Sequence, residues 1–380
     1  MVMMAKLQPL TMLYYTVRFL YVVVNNLMYI PCYLTYIALL YPLKYLKPEI
    51  YWTVETVLFK HLLNFVTVWI YSGGYKVVES GDDLRSLYNS HCLLLVNHQS
   101  TADVPMVMVL LQPKSMAMGR VMWVMDHLFK YTNFGLPAYY HGDYFIQQGK
   151  HVRSVQMEKL QKHLQEVYLK TYKKWIVLFP EGGFLRKRRK ASQEYAKKHD
   201  LPILENVVLP RVGAMNVVLD TVGNAEPPNG IVSEKFPGSG CVKWVIDVTV
   251  AYPNGKPLDM HGMLIGYWPP CQTIIHYRAY PVAEIPKDID GRTKWLYDRY
   301  QEKEEMLDAY YRSHKFLDES DEKIRELPRM SRTVLQLDKI SIIISYIFYT
   351  LSAYLLSIYV YCPLWGLLSL ILRYLFSCIF

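Results

Sequence analysis

The two ends of this chain are almost free of charge, and this limits how the chain can fold. Arg18 is the only charged residue between positions 7 and 43, and there is none between positions 340 and 372. Each stretch exceeds the roughly 20 apolar residues that cross a bilayer core. The alternative is a very hydrophobic core helix, but two such stretches rich in aromatic residues favour a lipid bilayer as partner. We therefore predict a membrane anchor with an interfacial helix at 1–74 and a membrane region at 334–380.

Both terminal regions also contain signals for breaks. Pro31, with the Asn pair before it, predicts a kinked span or a span followed by an interfacial piece. Pro363 predicts a break within the C-terminal region. Residues 54–71 are apolar with their few polar residues near one end, and this predicts a helix that lies in or against one leaflet.

Between these ends, short apolar runs alternate with helical patterns. Strands are predicted at 75–79, 92–96, 175–180, 205–210, 242–252 and 273–280, and helices at 104–111, 121–131, 152–172, 193–200 and 292–312. This alternation predicts an α/β domain at 75–312, with a largely parallel sheet flanked by helices. A Pro/Gly/Asn-rich surface excursion is predicted at 223–240 and a charged linker at 313–333. Ligands collect at the carboxyl ends of the strands in such sheets.

Charge and cysteine content narrow the class of partner. The formal net charge of +9 suggests an anionic partner, for which a phospholipid surface or a phosphorylated substrate serves as well as nucleic acid. A single short basic run, at 186–190, does not form an extended face that tracks phosphates, so we expect no nucleic acid. Six scattered Cys residues have no spacing typical of a zinc site or a disulfide framework. Gly-x-Ser-x-Gly and P-loop patterns are absent, which disfavours hydrolases and nucleotide triphosphatases.

Residues 97–103 follow a predicted buried strand and read Asn-His-Gln-Ser-Thr-Ala-Asp. On one continuous helix, His98 and Asp103 would point about 140° apart. They can meet only if His98 lies in the turn and Asp103 lies on the helix. The carboxylate would then accept from one ring nitrogen and leave the other as a base for a hydroxyl. The alternative is a helix start with an incidental His, since such pairs arise by chance in chains of this length.

A second strand end carries an acid and two glycines. The run 175–180 is followed by Glu181, Gly182 and Gly183, so a carboxylate and open backbone N–H groups would lie at the edge of the sheet. The basic run that begins at Arg186 comes directly afterwards. It is either a solvated helix start or localisation signal, or a phosphate site with Arg186 as direct ligand.

A third predicted strand end, 205–210, is followed by Arg211. This residue is either a phosphate ligand or a structural arginine that covers a helix end. The pattern alone leaves both interpretations open.

Four ordered blocks resemble the glycerolipid acyltransferases of the lysophosphatidate acyltransferase type. They are Asn97-His98 with Asp103, residues 142–148, Phe179-Pro180-Glu181-Gly182, and Leu209-Pro210-Arg211. The resemblance covers roughly residues 75–290. Each block alone is weakly or moderately specific, but the four in this order are strongly so.

The resemblance implies an acyl-CoA-dependent O-acyltransferase that acts on a lysophospholipid. His98 would be the general base and Asp103 its orienting partner, with acyl-CoA as co-substrate, no cofactor and no metal. The implied substrate-binding residues are Asn97, Phe145, Gln148, Pro180, Glu181, Gly182, Gly183, Arg186, Pro210 and Arg211. The enzyme would reside in the endoplasmic reticulum membrane with its catalytic domain facing the cytosol, which fits the absence of an Asn-x-Ser/Thr acceptor.

Two departures from the family pattern concern phosphate binding. The family usually has Thr-Arg after Glu-Gly, where this chain has Gly183 and Phe184, and Gln148 replaces an arginine that usually ends the second block. An uncharged amide binds phosphate more weakly than an arginine. Because of these departures, the alternative of a non-catalytic protein that binds membrane lipids stays open.

The acceptor head group follows only from a closer resemblance. Residues 126–135 and 179–189 resemble the branch of the family that acylates lysophosphatidylglycerol. This makes lysophosphatidylglycerol the expected acceptor, with lysophosphatidylethanolamine as the alternative.

Overall fold

The computed structural model describes residues 9–114, 116–149, 151–223, 240–313 and 327–379. In chain order its α-helices are α1 (Pro9–Leu40), α2 (Leu43–Leu46), α3 (Pro48–Tyr71), α4 (Asp103–Leu111), α5 (Gly135–His141), α6 (Arg153–Glu166), α7 (Leu185–Lys198), α8 (Gly213–Val222), α9 (Met260–Ile265), α10 (Ile289–Ser313), α11 (Lys339–Leu356) and α12 (Cys362–Ile379). Its strands are β1 (Lys76–Asp82), β2 (Cys92–Val96), β3 (Val121–Asp126), β4 (Tyr144–Ile146), β5 (Trp175–Leu178), β6 (Trp244–Ala251), β7 (Gln272–Pro281) and β8 (Arg329–Val334).

The described strands form one sheet in the order β4-β3-β5-β2-β6-β7-β1-β8. The β6–β7 and β1–β8 pairs are antiparallel, and the other neighbouring pairs are parallel. All five residues of β2 are buried. A strand that is apolar along its whole length is typical of a sheet covered on both faces. The predicted fold class, a largely parallel sheet flanked by helices, is therefore confirmed.

Each face of the sheet is covered by its own group of helices. Leu94 and Val96 pack into a core formed with α1, α3, α4 and α11. Leu93 and Leu95, which point the other way, pack into a core formed with α6, α8 and α10. Successive residues of a strand face opposite sides of a sheet, so the unbroken apolar run of β2 serves both cores. This places β2 in the middle of the molecule.

Two predicted elements have the wrong type. Residues 121–131 were expected to be helical but form β3 followed by a short turn. The prediction was wrong because the period of a short apolar run does not distinguish a buried strand from a helix. Residues 205–210 were expected to be a strand but pair with none. The Glu304 side chain on α10 accepts the backbone N–H groups of Asn206 and Val207, which replaces a strand partner.

The predicted linker at 313–333 is corrected where the structure describes it. Its last residues belong to β8, which pairs with β1 at the edge of the sheet. Charged residues such as Arg329 and Arg332 are common on edge strands because they discourage pairing with other chains. Residues 224–239 of the predicted surface excursion and 314–326 of the linker lie outside the described residues. The other domain boundaries remain predictions.

The terminal regions form helices that are more continuous than expected. Pro31 lies inside α1 without ending it, and α11 continues into α12 through a π-helical turn at Ser357–Tyr361. Helices at Pro9–Leu40 and Lys339–Phe376 are long and apolar enough to cross a membrane. The predicted interfacial helix is α3, and most of its residues are buried between α1, α4 and α11 rather than exposed to lipid.

Candidate active site

The sheet topology brings the first and third motifs together. β2 and β5 are parallel neighbours, with Leu95 opposite Leu178, so the residues that follow them leave the sheet side by side. The backbone N–H of His98 donates to Oε1 of Glu181 at 2.9 Å. The carbonyl of His98 accepts from the N–H of Leu185, at the start of α7, at 2.8 Å. The turn that carries His98 is thus fixed on both sides by the turn that follows β5.

The His98 side chain contacts Asp103 as the spacing predicted. His98 Nδ1 lies 2.9 Å from Asp103 Oδ2, with His98 in the turn and Asp103 in the first turn of α4. A carboxylate only accepts, so Nδ1 carries the proton and Nε2 is left as an acceptor. No residue in the described ranges forms a hydrogen bond with Nε2. The His98 side chain is 12% exposed, which is enough to present this nitrogen to a ligand.

Two further donors hold the Asp103 carboxylate, and the sequence analysis predicted neither contact. The Ser100 N–H donates to Oδ2 at 2.9 Å, and the Tyr252 hydroxyl donates to Oδ1 at 2.6 Å. Burial and the neighbouring Asp103 raise the pKa of Tyr252 well above its usual range, so the hydroxyl remains a donor. Tyr252 directly follows β6, the other neighbour of β2. Its position at the end of a predicted strand was the only available signal.

Two phenylalanine rings enclose the imidazole. The ring of Phe179 is stacked on His98 with centroids 4.3 Å apart, and Phe184 meets it nearly edge-on at 4.6 Å. Phe184 stands where the family pattern has an arginine. Here the ring packs against the imidazole and helps to fix the orientation of the base.

Glu181 lies beneath the site rather than at its surface. Its side chain is buried, and burial raises its pKa well above the usual range for a carboxyl group. Its oxygen accepts the His98 N–H, so its observed contact is with the motif turn. The substrate-binding role that the resemblance implied for Glu181 stays a prediction, and the observed hydrogen bond positions the turn that carries His98.

The two glycines after Glu181 form the turn that opens the site. Gly182 and Gly183 have φ values of +66° and +154°, which residues with a side chain rarely adopt. A Cβ at Gly183 would come 2.9 Å from Nε of Arg188. The carbonyl of Gly182 accepts from Nε2 of Gln148 at 2.7 Å and from Nη2 of Arg188 at 3.0 Å.

Arg188 and Arg211 lie beside this turn, and Arg153 lies near Arg211; we call these three arginines, with Gln148, the arginine cluster. The Oε1 of Gln148 accepts from Arg188 and, at 3.4 Å, from Nη1 of Arg211. Burial lowers the pKa of Arg211, and the positive charges of Arg188 and Arg153 nearby lower it further. A carboxylate is also close, since Asp126 Oδ2 accepts from Gln148 Nε2 at 3.1 Å. Guanidinium groups that repel each other around an open turn favour a bound anion such as a phosphate.

The predicted direct ligand Arg186 lies outside this cluster. Arg186 and Arg188 are two residues apart on α7, so they point about 200° apart around the helix. Because Arg188 faces Gly182, Arg186 faces solvent and is exposed. Arg188 and Arg153 are therefore candidate ligands that the sequence analysis did not identify. Helical periodicity could have shown that Arg186 and Arg188 lie on different sides of α7. It could not have shown which of the two faces the turn.

The remaining predicted residues hold the site together. Both ends of the Asn97 side-chain amide bond to the backbone of Val250, which ties the first motif to β6. The Pro180 carbonyl accepts from the Arg211 N–H at 2.8 Å, which joins the third and fourth motifs next to the buried Pro210. Phe145 lies on β4, opposite Met125 of β3, and is half-buried.

Within the described part of the chain, no group of three or more His, Cys, Asp or Glu side chains could hold a metal ion. The expectation that catalysis needs neither a metal nor a cofactor stays a prediction.

Residues 76–224 match the family model described as "Acyltransferase", and residues 262–337 match the model described as "Acyltransferase C-terminus". Acyl-CoA:lysophosphatidylglycerol acyltransferase 1 of Homo sapiens is 44% identical over 303 residues, which cover 79% of this chain and 82% of that protein. The Mus musculus protein of the same name is 40% identical over 344 residues, which cover 89% of this chain and 93% of that protein. The crystal structure of the 1-acyl-sn-glycerophosphate (LPA) acyltransferase PlsC from Thermotoga maritima aligns with 75% of this chain and 98% of that chain, with a TM-score of 0.38 and 13% identity. The matches to the family models and the identity over most of the chain show that this protein belongs to the acyltransferase family.

Proposed function

We propose that this protein is a membrane-bound acyl-CoA:lysophospholipid acyltransferase in which His98 is the general base. The observation that carries the proposal is the 2.9 Å contact between His98 Nδ1 and the buried carboxylate of Asp103. This contact sets the tautomer that leaves Nε2 free to accept a proton. The two phenylalanine rings and the bond to Glu181 fix the direction in which Nε2 points.

The reaction needs a base but no protein nucleophile. The hydroxyl oxygen of the lysophospholipid attacks the thioester carbon of acyl-CoA while its proton passes to Nε2 of His98. An ester C–O bond forms, the C–S bond breaks, and the CoA sulfur takes the proton from His98. A thioester is already activated, so a positioned base and the alignment of two reactants are sufficient.

The arginine cluster is the proposed site for the acceptor's phosphate. Arg188 and Arg211 present guanidinium groups beside the Gly182 turn, which offers open backbone next to the base. Lysophosphatidylglycerol is the proposed acceptor, supported by the names of the two relatives that are 40–44% identical. Lysophosphatidylethanolamine is the alternative, because a phosphate site alone does not distinguish the two head groups.

The proposed location is the endoplasmic reticulum membrane, with the catalytic site on the cytosolic side. The support for a membrane is the pair of helices at Pro9–Leu40 and Lys339–Phe376. Acyl-CoA, the proposed co-substrate, would reach the site from the cytosol.

The experiment that tests the proposal is the His98→Ala variant. Membranes containing it are assayed for transfer from labelled acyl-CoA to a panel of lysophospholipids that includes both head groups. We expect a rate about 10²- to 10⁴-fold lower, the typical contribution of a positioned base. His199→Ala, at the exposed end of α7, is the matched control and should keep full activity. Undiminished transfer by His98→Ala contradicts the mechanism, and bound lysolipid without CoA release for the unchanged protein indicates a non-catalytic lipid-binding protein.

A further inference from the structure

Four large apolar or aromatic side chains are exposed on one short segment beside the site. We call residues 127–139 the rim segment; it comprises the turn His127–Tyr131 and most of α5. Leu128 is 63% exposed, Tyr131 81%, Leu136 53% and Tyr139 54%. Exposed apolar side chains are usually scattered singly, and a group of them marks a surface that contacts another molecule or a membrane.

The rim segment is attached to the first terminal helix. Nδ2 of Asn133 donates to Oδ1 of Asn26 in α1 at 2.5 Å, and Phe134 meets the Trp69 ring of α3 at 6.3 Å. Two apolar residues of α1 near Asn26 are also exposed, with Val24 at 47% and Leu27 at 70%. The rim segment therefore continues an apolar surface that begins on a helix long enough to cross a membrane.

The same segment begins at the arginine cluster. Asp126, the last residue of β3, accepts the N–H of Leu128 at 2.9 Å through one oxygen. Its other oxygen accepts from Nε2 of Gln148 at 3.1 Å, and Gln148 in turn bonds to Gly182. A chain of direct contacts thus joins the apolar rim to the proposed phosphate site.

The chemistry of the rim segment fits a phospholipid interface. Residues 127–139 contain no acid and one lysine, Lys130, whose Nζ lies 5.2 Å from the centre of the Tyr139 ring. Tyrosine and lysine have apolar bodies with polar tips and are enriched where a membrane meets water. The absence of acidic residues avoids repulsion from lipid phosphates.

We infer that the rim segment rests in the phospholipid interface and sets the mouth of the arginine cluster against the membrane surface. This inference rests on the proposed function, since it gives a lysophospholipid a route from the bilayer to the phosphate site without leaving the lipid. The exposed side chains of the rim segment would shield its acyl chain from water, while its phosphate reaches Arg188 and Arg211.

Photo-crosslinking of the full-length protein tests the inference directly. A Tyr131→benzoylphenylalanine variant is reconstituted in vesicles of phosphatidylcholine and phosphatidylglycerol, irradiated and analysed by mass spectrometry. We expect a phospholipid adduct at position 131 and also at Trp365, a 72% exposed residue of α12 substituted in the same way. The matched control is Tyr195, which is 49% exposed on α7 and should give no lipid adduct.

Three outcomes would overturn the inference. They are an adduct at Trp365 but none at Tyr131, equal adducts at Tyr131 and Tyr195, and crosslinking of Tyr131 to a second copy of the chain. These readouts do not involve acyl transfer, so they stand even if the proposed function fails.

A second variant tests the route for the acceptor. A Leu128→Gln/Tyr131→Gln protein should lose transfer to lysophospholipid embedded in vesicles but keep transfer to monomeric short-chain lysophospholipid in solution. Equal loss with both acceptors contradicts the inference, because it indicates damage to the fold or to the site itself.

Discussion

At the scale of single residues, the proposed base is oriented by a carboxylate that cannot turn. The Asp103 carboxylate accepts from the His98 ring, from the Ser100 N–H and from the Tyr252 hydroxyl. It also lies at the N-terminus of α4, where negative charge is favoured. Three donors from two parts of the chain therefore fix the tautomer of His98.

The pKa of Glu181 leads to a prediction about stability and pH. Burial raises the pKa of Glu181 in the folded protein. The contribution of this group to stability is therefore fully present below its pKa in the unfolded chain, and it is lost as the pH rises through its pKa in the folded protein. Glu181→Gln should therefore lose less stability than the unchanged protein as the pH rises from the ordinary carboxyl pKa of 4.5 towards the raised folded value, measured as the thermal unfolding midpoint in detergent. Glu194→Gln, on the exposed side of α7, should behave like the unchanged protein.

A second substitution at Glu181 separates charge from hydrogen bonding. Glu181→Leu removes the acceptor for the His98 N–H, and a buried unpaired donor costs about 1–3 kcal/mol. It should therefore be less stable and less active than Glu181→Gln at every pH. Equal behaviour of the two variants would show that the bond to His98 is unimportant.

The arginine cluster predicts which basic residue binds the acceptor. Arg188→Gln should raise the KM for lysophospholipid about tenfold or more, because a charged hydrogen bond contributes ~1.5–3 kcal/mol and about 1.4 kcal/mol corresponds to tenfold. Arg186→Gln should change it little, since Arg186 faces solvent. Steady-state kinetics with varied acceptor distinguish the two. A larger effect at Arg186 than at Arg188 would contradict the assignment.

At the scale of elements, α10 supports the strand ends that carry the site. Nζ of Lys303, which is fully buried, lies 2.7 Å from Asp247 Oδ1 and donates to the Val248 carbonyl at 2.6 Å. The Val248 carbonyl also accepts the N–H of Asn97 at 3.4 Å. Arg278 of β7 contacts the other oxygen of Asp247 at 2.9 Å. A buried cation from α10 therefore stabilises the place where β2 ends beside β6.

Breaking this contact should destabilise the fold strongly. Lys303→Met leaves part of the Asp247 charge uncompensated, and removing one partner of a buried pair costs about 3–5 kcal/mol. Lys294→Met, on the same helix, removes an exposed pair with Asp298 and should cost less than ~1 kcal/mol. Chemical denaturation in detergent compares the two. Similar losses for both variants would show that the Lys303 contact contributes little.

At the scale of the whole molecule, the two ends of the chain belong to the fold as well as to the proposed membrane region. Nδ2 of Asn64 in α3 donates to the hydroxyls of Ser341 and Ser345 in α11, at 3.0 and 2.8 Å. Gln112, after α4, exchanges hydrogen bonds with the backbone of Asp338. α11 therefore covers buried parts of the domain. α12 differs, since none of its side chains that the structure describes is buried.

This difference predicts the outcome of two truncations. A chain that ends at residue 361 keeps α11 and should stay folded in mild detergent, with less retention in membranes. A chain that ends at residue 334 exposes α3 and should aggregate, because Asn64 and its apolar neighbours lose their cover. Gel filtration with limited proteolysis measures both. Stable folding of the shorter chain would contradict a structural role for α11.

The sequence by itself determined the features that depend on local pattern. The apolar runs at 92–96 and 175–180 predicted buried strands, and the motifs after them predicted polar side chains at one edge of the sheet. The spacing of His98 and Asp103 also predicted how the pair could meet, with His98 in a turn and Asp103 at the start of a helix. The long uncharged ends likewise predicted α1, α11 and α12.

Only the tertiary structure decided which side chains from distant parts of the chain meet. The order of the strands places Tyr252 beside Asp103, and the orientation of α7 turns Arg188 rather than Arg186 towards Gly182. The tertiary structure also places Glu181 under the site and pairs residues 329–334 as an edge strand. The physical reason is that the local sequence pattern sets the type and the ends of an element. Which elements lie next to it is set by the packing of buried surfaces across the whole sheet.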